Sequence, residues 1–274
     1  MAKLLLSKKK KRIFAIIAAI AAVFLLYAHF ETYWIEVTDT TIADVSLPEE
    51  FSGKRVAFIA DIHCGEWFDP ERLAKVVEQL NSLKPDIVLL GGDYVNRDGN
   101  STETCFKEYA KIAAPLGKYG VLGNHDIEAG AQSVEMAMLN AGIIPLVNSN
   151  LKLAAGGAAI TIAGTDETWY GNPDGAKAME GATDFTIYLT HDPSYLEKYR
   201  PKAQLLLSGH THGGQVTLFG ISLANLAHWH NYKYGKGIFR ESDRTVIVTN
   251  GIGATILPLR FFARPQINLI TLEK

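Results

Sequence analysis

Cysteine is scarce in this chain, with two residues among 274, Cys64 and Cys105. No pair of cysteines stands at zinc-finger spacing, so a structural zinc module is excluded and any metal site must be built from other ligands. Bulk charge is missing too: the formal net charge is −2, which gives the domain no general electrostatic reason to seek nucleic acid, and none is expected as a partner. Low-complexity stretches and internal repeat periods are absent, which excludes solenoids and linker-rich architectures. Lys and Arg vanish between Arg12 and Lys54, and Lys11-Arg12 is not the twin arginine of folded-protein export.

That stretch without positive charge contains the longest apolar run, Ile13 to Phe30, directly after the basic run from Lys8 to Arg12. As a helix it rises roughly 27 Å, close to the hydrocarbon thickness of a bilayer. A cleaved signal sequence is the alternative, but secretory apolar regions run about 7–15 residues and end at a small-x-small site. Here Ala19 and Ala21 lie inside the run, and Tyr33 and Trp34 just beyond it suit an interfacial anchor. Residues 1–12 are therefore read as a basic cytoplasmic N-terminus, 13–30 as an uncleaved transmembrane anchor, 31–53 as a leading strand or linker, and 54–274 as the main domain. Glu31, Glu36, Asp39, Asp44, Glu49 and Glu50 follow the anchor, so the positive-inside rule places that domain on the extracytoplasmic side of the cytoplasmic membrane. A cytoplasmic-face domain and a secreted one are the alternatives. In an exported domain Cys64 and Cys105 can pair, but Cys64 adjoins His63 and is expected as a small packed residue; pairing stays open.

With hydrophobic residues at 47%, the domain can bury a sizeable core. Val56 to Ala60 reads as a buried strand ending in Asp61. Pro70 starts a helix whose inner face carries Leu73, Val76, Val77, Leu80 and Leu83. Ile87 to Leu90 is the next buried strand and delivers Asp93. Ser101 or Thr102 caps a helix with Phe106, Tyr109 and Ile112, and Tyr119 to Leu122 leads to Asn124. A third helix is expected over 131–140, and two strands within 143–163 with a hairpin at Gly156-Gly157. Phe185 to Leu189 runs to His191, Leu205 to Leu207 runs to His210 and His212, and Val246 to Val248 and Ile267 to Thr271 complete the strands. Alternating strands and helices predict an α/β architecture of layered sheets with helices outside.

Five short motifs lie at these strand exits: Asp61-Ile62-His63, Gly91-Gly92-Asp93, Gly123-Asn124-His125-Asp126, His191, and Gly209-His210-Thr211-His212. Singly, each is an ordinary turn or surface residue. Together they gather five of the eight histidines with three carboxylates and an amide at one edge of a sheet. Such oxygen and imidazole ligands suit two divalent cations about 3.5–4 Å apart around an attacking water. Mn²⁺ is the expected metal, with Zn²⁺ or Fe as alternatives.

In this order the motifs resemble the calcineurin-like metallophosphoesterase superfamily over roughly residues 46–273. Gly209-His-Thr-His-Gly-Gly-Gln215 and Gly251-Ile-Gly253 with Leu257-Pro-Leu-Arg-Phe-Phe262 look like its bacterial membrane-tethered branch, which includes proteins similar to UDP-2,3-diacylglucosamine pyrophosphatases of lipid A synthesis. The resemblance implies a sandwich of two mixed β-sheets flanked by helices, with a dimetal site at the strand ends. By motif, Asp61, His63, Asp93 and His212 hold one metal, and Asp93, Asn124, His191 and His210 the other. His125 stabilises the phosphoryl group and protonates the leaving oxygen, and Asp126 orients or tunes its ring. The implied reaction is in-line attack on phosphorus by a hydroxide between the two ions. Asn96 stands where the protein-phosphatase version of the second motif has an Asp, which argues against phosphoprotein hydrolysis.

Substrate contacts are expected from Arg97 and from an aromatic loop with His228, Trp229, Tyr232 and Tyr234. A membrane anchor favours a phosphodiester or pyrophosphate that is lipid- or envelope-linked. UDP-carrying lipid A precursors are made on the cytoplasmic face, whereas the charge pattern puts this domain outside, so an exported lipid or wall precursor fits both observations. A phosphomonoesterase is the second enzymatic reading; a metal-binding scaffold or sensor at the membrane is the alternative of another class.

Overall fold

Short apolar strands alternate with amphipathic helices along the chain and assemble as two mixed six-stranded sheets packed face to face. The computed structural model describes residues 8–182, 184–218, 221–222 and 232–274. The helices are α1 (Lys8–Glu31), α2 (Pro70–Ser82), α3 (Thr102–Tyr109), α4 (Asn124–Asn140), α5 (Gly175–Ala178) and α6 (Ser194–Lys198). The strands are β1 (Glu36–Ala43), β2 (Arg55–Ile59), β3 (Ile87–Leu90), β4 (Lys118–Gly120), β5 (Ile143–Pro145), β6 (Ser149–Ala155), β7 (Ala158–Gly164), β8 (Thr186–Leu189), β9 (Leu205–Ser208), β10 (Thr217–Leu218), β11 (Ile221–Ser222), β12 (Gly237–Arg240), β13 (Thr245–Val248) and β14 (Gln266–Glu273).

The first sheet runs β1-β14-β2-β3-β4-β5, parallel except where β14 meets β2. The second runs β12-β13-β9-β8-β7-β6, parallel through its middle and antiparallel at both edges. Side chains alternate across a strand, and β2 shows the consequence. Val56 and Phe58 enter the core between the sheets with Leu89, Ile162, Ile187 and Leu207, while Ala57 and Ile59 face the helices. The inner face of α2 packs there through Leu73, Val76, Val77 and Leu80. Its start is fixed by Pro70 in the first turn and by the Asp69 carboxylate, which accepts the Arg72 N–H. Tyr188, Leu206 and Val248 cover the outer face of the second sheet against Tyr195 and Leu196.

The structure departs from the sequence reading in several places. The strand expected within 31–53 is β1, and it pairs in parallel with β14 along its whole length, Glu36 opposite Gln266 and Ala43 opposite Glu273. Its alternating apolar residues revealed a strand, but only the long-range partner shows that it belongs to the sheet. Helix α4 starts at Asn124 instead of 131, and Gly130 (φ 112°, ψ 91°) breaks the helical period between its two parts. Ile112 lies beyond the end of α3, and the segment 143–163 holds three strands, with the expected hairpin turning at Gly156 and Gly157.

Cys64 and Cys105 form a disulfide, their Cα atoms 6.2 Å apart, which corrects the expectation of a lone packed thiol beside His63. It ties the loop after β2 to α3 across 41 residues of chain. Closing a loop of that length removes about 4 kcal/mol of chain entropy from the unfolded state, an upper figure for the fold. The double variant Cys64→Ser/Cys105→Ser is expected to lose about 2–4 kcal/mol in urea unfolding followed by near-UV dichroism. A midpoint equal to that of the parent chain would show that α3 holds the loop without the bond.

Candidate metal centre

Strands β2, β3 and β4 are parallel neighbours in one sheet, and β8 and β9 are parallel neighbours in the other. Their C-terminal ends therefore open on one edge of the sandwich, where the loops carry Asp61, His63, Asp93, Asn124, His191, His210 and His212. All seven come together, His210 half-buried and the rest buried. Asp61, His63 and His212 form one group and Asp93, His191 and His210 another, each with its donor atoms within 4.8 Å of one another. Asp93 stands between the groups, its Oδ2 3.6 Å from His63 Nε2 and 3.3 Å from His191 Nε2. The Asn124 amide oxygen joins the second group, 3.0 Å from His210 Nδ1 and 3.2 Å from His191 Nε2.

The donor set fits two divalent cations. His63 Nε2 and His212 Nε2 face each other at 3.0 Å, while the Nδ1 atoms of both rings are buried without a partner among the described residues. Neighbouring ligands around an ion held at about 2.0–2.2 Å stand about 3 Å apart, so a shared cation satisfies a nitrogen pair that the protein alone leaves facing each other. In the other group His191 Nδ1 lies 2.7 Å from the Gly91 carbonyl oxygen. Donation of the Nδ1–H to that oxygen fixes the tautomer and turns the Nε2 lone pair inward. Burial pushes His63 down to about 3 and, with His63 beside it, holds His212 well below the ordinary range, so both are neutral and able to ligate. For His191 burial acts downward, but Asp93 outweighs it and the ring rises well above its usual value.

Gathering these groups strains the backbone. Asp61 (φ 54°), His63 (φ 50°), Asp93 (φ 54°), His210 (φ 69°) and His212 (φ 52°) all adopt the left-handed region. That conformation costs roughly 1–2 kcal/mol per L-residue and is retained where a site needs it. Two glycines make the approach possible: a Cβ at Gly123 would stand 2.2 Å from Asp93 Oδ1, and one at Gly209 would stand 2.5 Å from Asp61 Oδ2.

Asp126 has a different task from the one its motif suggested. Its Oδ2 accepts the N–H groups of Asp93 (2.7 Å) and Gly123 (2.9 Å), and its Oδ1 accepts those of Tyr94 (2.9 Å) and Val95 (3.3 Å). The carboxylate clamps the loop after β3 to the start of α4, whereas His125 Nδ1 finds no partner among the described residues. His125 is buried beside His63, ring centroids 4.5 Å apart, and its N–H donates to Asp93 Oδ1 at 2.8 Å. Burial lowers its pKa, with Asp93 opposing.

Among the proposed substrate contacts, Arg97 lies near His125 and pairs with Glu128 at 3.2 Å. Tyr232 packs 6.3 Å from the His210 ring. Tyr234 is not at the site: it is buried in the outer core and its hydroxyl donates to Glu241 at 2.6 Å. An aromatic residue in a loop cannot be assigned to rim or core without its neighbours, which is why the sequence grouped it with Tyr232. His228 and Trp229 lie outside the described residues. The sequence reading missed Trp169, whose ring lies 5.0 Å from that of His210 and whose indole N–H donates to Asp192 at 2.8 Å. No motif marks it.

Asp126→Asn turns an acceptor into a donor facing backbone N–H groups. It is expected to cost about 1–3 kcal/mol of stability and to lower metal content measured by elemental analysis. Unchanged metal content would show that the clamp does not position Asp93. In EDTA, burial raises the Asp61 carboxyl from 3.8 to about 7. A carboxyl raised on folding favours the fold below about pH 4, and that contribution is lost as pH rises through 7. A cation replaces the proton, so thermal melts with Mn²⁺ and with EDTA should nearly coincide at pH 5 and separate at pH 8; a pH-independent gap would count against Asp61 as a ligand.

The calcineurin-like phosphoesterase family profile matches residues 54–214, more than half of the chain. YkuE of Bacillus subtilis, an uncharacterized metallophosphoesterase, is 31% identical over 257 residues covering 90% of this chain and 89% of that protein. The phosphodiesterase YaeI of Escherichia coli is 27% identical over 257 residues covering 90% and 92%. A transmembrane protein with metallophosphoesterase domain from Danio rerio is 31% identical over 87% of this chain, which spans 57% of its length. Fold, ligand cluster and relatives agree: the chain belongs to the calcineurin-like phosphoesterase family and is a metallophosphoesterase, a hydrolase.

Proposed function

We propose that this hydrolase is anchored in the cytoplasmic membrane by α1 and cleaves a phosphodiester or pyrophosphate bond of a lipid- or envelope-linked substrate on the extracytoplasmic side. The observation that carries the reaction is the two donor groups with Asp93 between them, and His125 with a ring nitrogen within 4.8 Å of donor atoms of His63 and Asp93. Two divalent cations bound there, Mn²⁺ being the expected pair, supply Lewis-acid charge and a water nucleophile active at neutral pH. Asp93 keeps the two donor groups in register through one oxygen, and its other oxygen holds the backbone of His125. The His125 ring then meets the phosphoryl oxygens and passes an imidazole proton to the departing oxygen. An anion beside the ring raises its pKa, offsetting the burial that lowers it.

Diester or pyrophosphate cleavage is favoured over phosphoprotein hydrolysis because Asn96 brings no carboxylate to His125, and the Escherichia coli relative is named a phosphodiesterase. Trp169 and Tyr232 flank His210 as an aromatic rim for the part of the substrate beyond the phosphate. Anchoring is supported by the apolar run Ile13 to Phe30 within the 24-residue helix α1 and by the relative named a transmembrane protein. The extracytoplasmic side is supported by the basic first turn of α1, Lys8 to Arg12, ahead of the apolar run, and by the disulfide, which persists in oxidising compartments. That side disfavours a UDP-linked lipid A precursor and favours an exported lipid or wall precursor.

With full-length protein in detergent, bis-p-nitrophenyl phosphate hydrolysis is expected to vanish on metal removal and to return with Mn²⁺ above Zn²⁺ or Mg²⁺. Asp93→Ala should abolish activity and metal binding together. His125→Ala should reduce kcat about 10²–10⁴-fold with metal content near normal. Loss of metal from His125→Ala would make that residue a ligand instead of the acid, and cleavage of p-nitrophenyl phosphate alone would move the reading to a phosphomonoesterase. A C-terminal alkaline phosphatase fusion should be active; a silent one would reverse the topology.

A further inference from the structure

The loop that closes the metal centre runs alongside the last turns of α1, at a level the apolar run of the helix assigns to hydrocarbon. The Phe261 ring packs 4.7 Å from that of Phe24 and 5.6 Å from that of Tyr27. Phe24 precedes Phe30, the last residue of the apolar run, by six positions, about 9 Å along a helix. The run from Ile13 to Phe30 spans roughly 27 Å against a hydrocarbon thickness of about 30 Å, which leaves little room to slide the helix outward. Phe261, packed on both Phe24 and Tyr27, therefore lies about 5–9 Å inside the level of Phe30. Around it the surface is apolar: Ile256 is 88% exposed, Phe262 59%, Leu257 56%, and Leu218 and Ile221 of the β10–β11 ribbon 52% and 59%.

We infer that the segment Thr255–Phe262, with Leu218 of β10 and Ile221 of β11, forms a second membrane-docking surface that inserts into the lipid leaflet beside α1 and seats the metal centre at the headgroup layer. The inference rests on the reading of α1 as a bilayer anchor. Three observations carry it. The first is depth, given by the contacts of Phe261. The second is backbone satisfaction, because irregular backbone in lipid needs its polar groups bonded within the protein. Here Arg260 N–H donates to the Ala28 carbonyl, Phe261 N–H to that of Gln215, and the N–H groups of Phe262 and Ala263 to the buried Glu31 carboxylate. The Gln215 side chain bonds Thr255 on both N–H and carbonyl and also bonds the Leu257 carbonyl.

The third observation is the change of chemistry one step further along the chain. Past Phe30, the Arg264 guanidinium lies over the Trp34 ring at 4.2 Å and that of Arg72 over the Tyr33 ring at 4.1 Å. Aromatic rings paired with cations suit the headgroup layer, where the rings sit at the interface and the cations meet lipid phosphates. Apolar loop, buried carboxylate and basic-aromatic belt thus follow one another in the order in which a bilayer changes from acyl chain to phosphate. The docked segment is also joined to the chemistry. Gly253 N–H donates to the Asp61 carbonyl, Gln215 lies three residues beyond His212, and the buried Arg260 guanidinium bonds the carbonyls of Gly253, Asn250 and Ala263. The substrate class this favours is a lipid whose phosphate is cleaved without leaving the leaflet.

The test uses the full chain in phosphatidylcholine vesicles, labelled with an environment-sensitive fluorophore at Ile256→Cys or, independently, at Ile221→Cys. Ile20→Cys in α1 serves as the buried-in-lipid control and Lys152→Cys as the aqueous one. The native cysteines are paired and buried, so the label goes to the introduced thiol. Positions 256 and 221 are expected to be quenched by doxyl-labelled lipid at least half as strongly as position 20 and to be shielded from iodide, while position 152 shows the reverse. The inference is overturned if 256 and 221 follow 152 while 20 is quenched by lipid. It is overturned equally if they are shielded from iodide without lipid quenching, because a protein surface, such as a second copy of this chain, then covers them. If position 20 also follows 152, the anchor reading has failed and the inference falls with it.

Discussion

The Asp126 carboxylate holds the backbone N–H groups of Gly123, Asp93, Tyr94 and Val95 at once, and the geometry of the centre depends on that grip. The loop after β3 must leave its sheet so that one Asp93 oxygen faces both donor groups. Hydrophobic packing sets the spacing of strands but has no direction along them, so it cannot fix a carboxylate to a fraction of an ångström. A buried carboxylate with several N–H donors can, because each bond is directional and a lost partner leaves a buried polar group unsatisfied. Asp126 thereby acts on the site through Asp93, without facing the ligand cluster itself.

The clamp works against strain. Five residues of the candidate centre lie in the left-handed region, where their side chains and backbones crowd each other. The sandwich beneath them supplies the rigidity that keeps them there, since β2, β3, β8 and β9 are fully buried along most of their length. The disulfide adds a local brace one residue from His63. Cohesion stored in the core is thus converted into position at the edge, the general arrangement by which a rigid scaffold presents reactive groups on loops.

The clustering of the candidate ligands was legible because their chemistry is rare and their placement regular: a carboxylate or imidazole at the exit of one apolar strand after another. The α2 start was legible from Asp69 and Pro70, and the β6–β7 hairpin from two glycines. Other features depend on contacts distant in sequence. Cys64 and Cys105 meet because α3 packs over the loop after β2, which spacing alone does not reveal. The Asp126 clamp is equally hidden, because a carboxylate next to a histidine suggests an imidazole partner, and only the fold shows four N–H groups aimed at it instead. Tyr234 and Tyr232, two positions apart, separate into core and site for the same reason.

Strand β1, the first element after α1, pairs among the described residues only with β14, and β14 also forms the ladder with β2. Glu36 waits for Gln266, so this sheet has very high contact order at its edge. During synthesis the segment following α1 leaves the ribosome early with both of its edges unpaired, while β2 to β5 can already assemble by local crossovers. Strand β14, made after them, then enters between β1 and β2 and joins the segment next to α1 to the rest of the sheet.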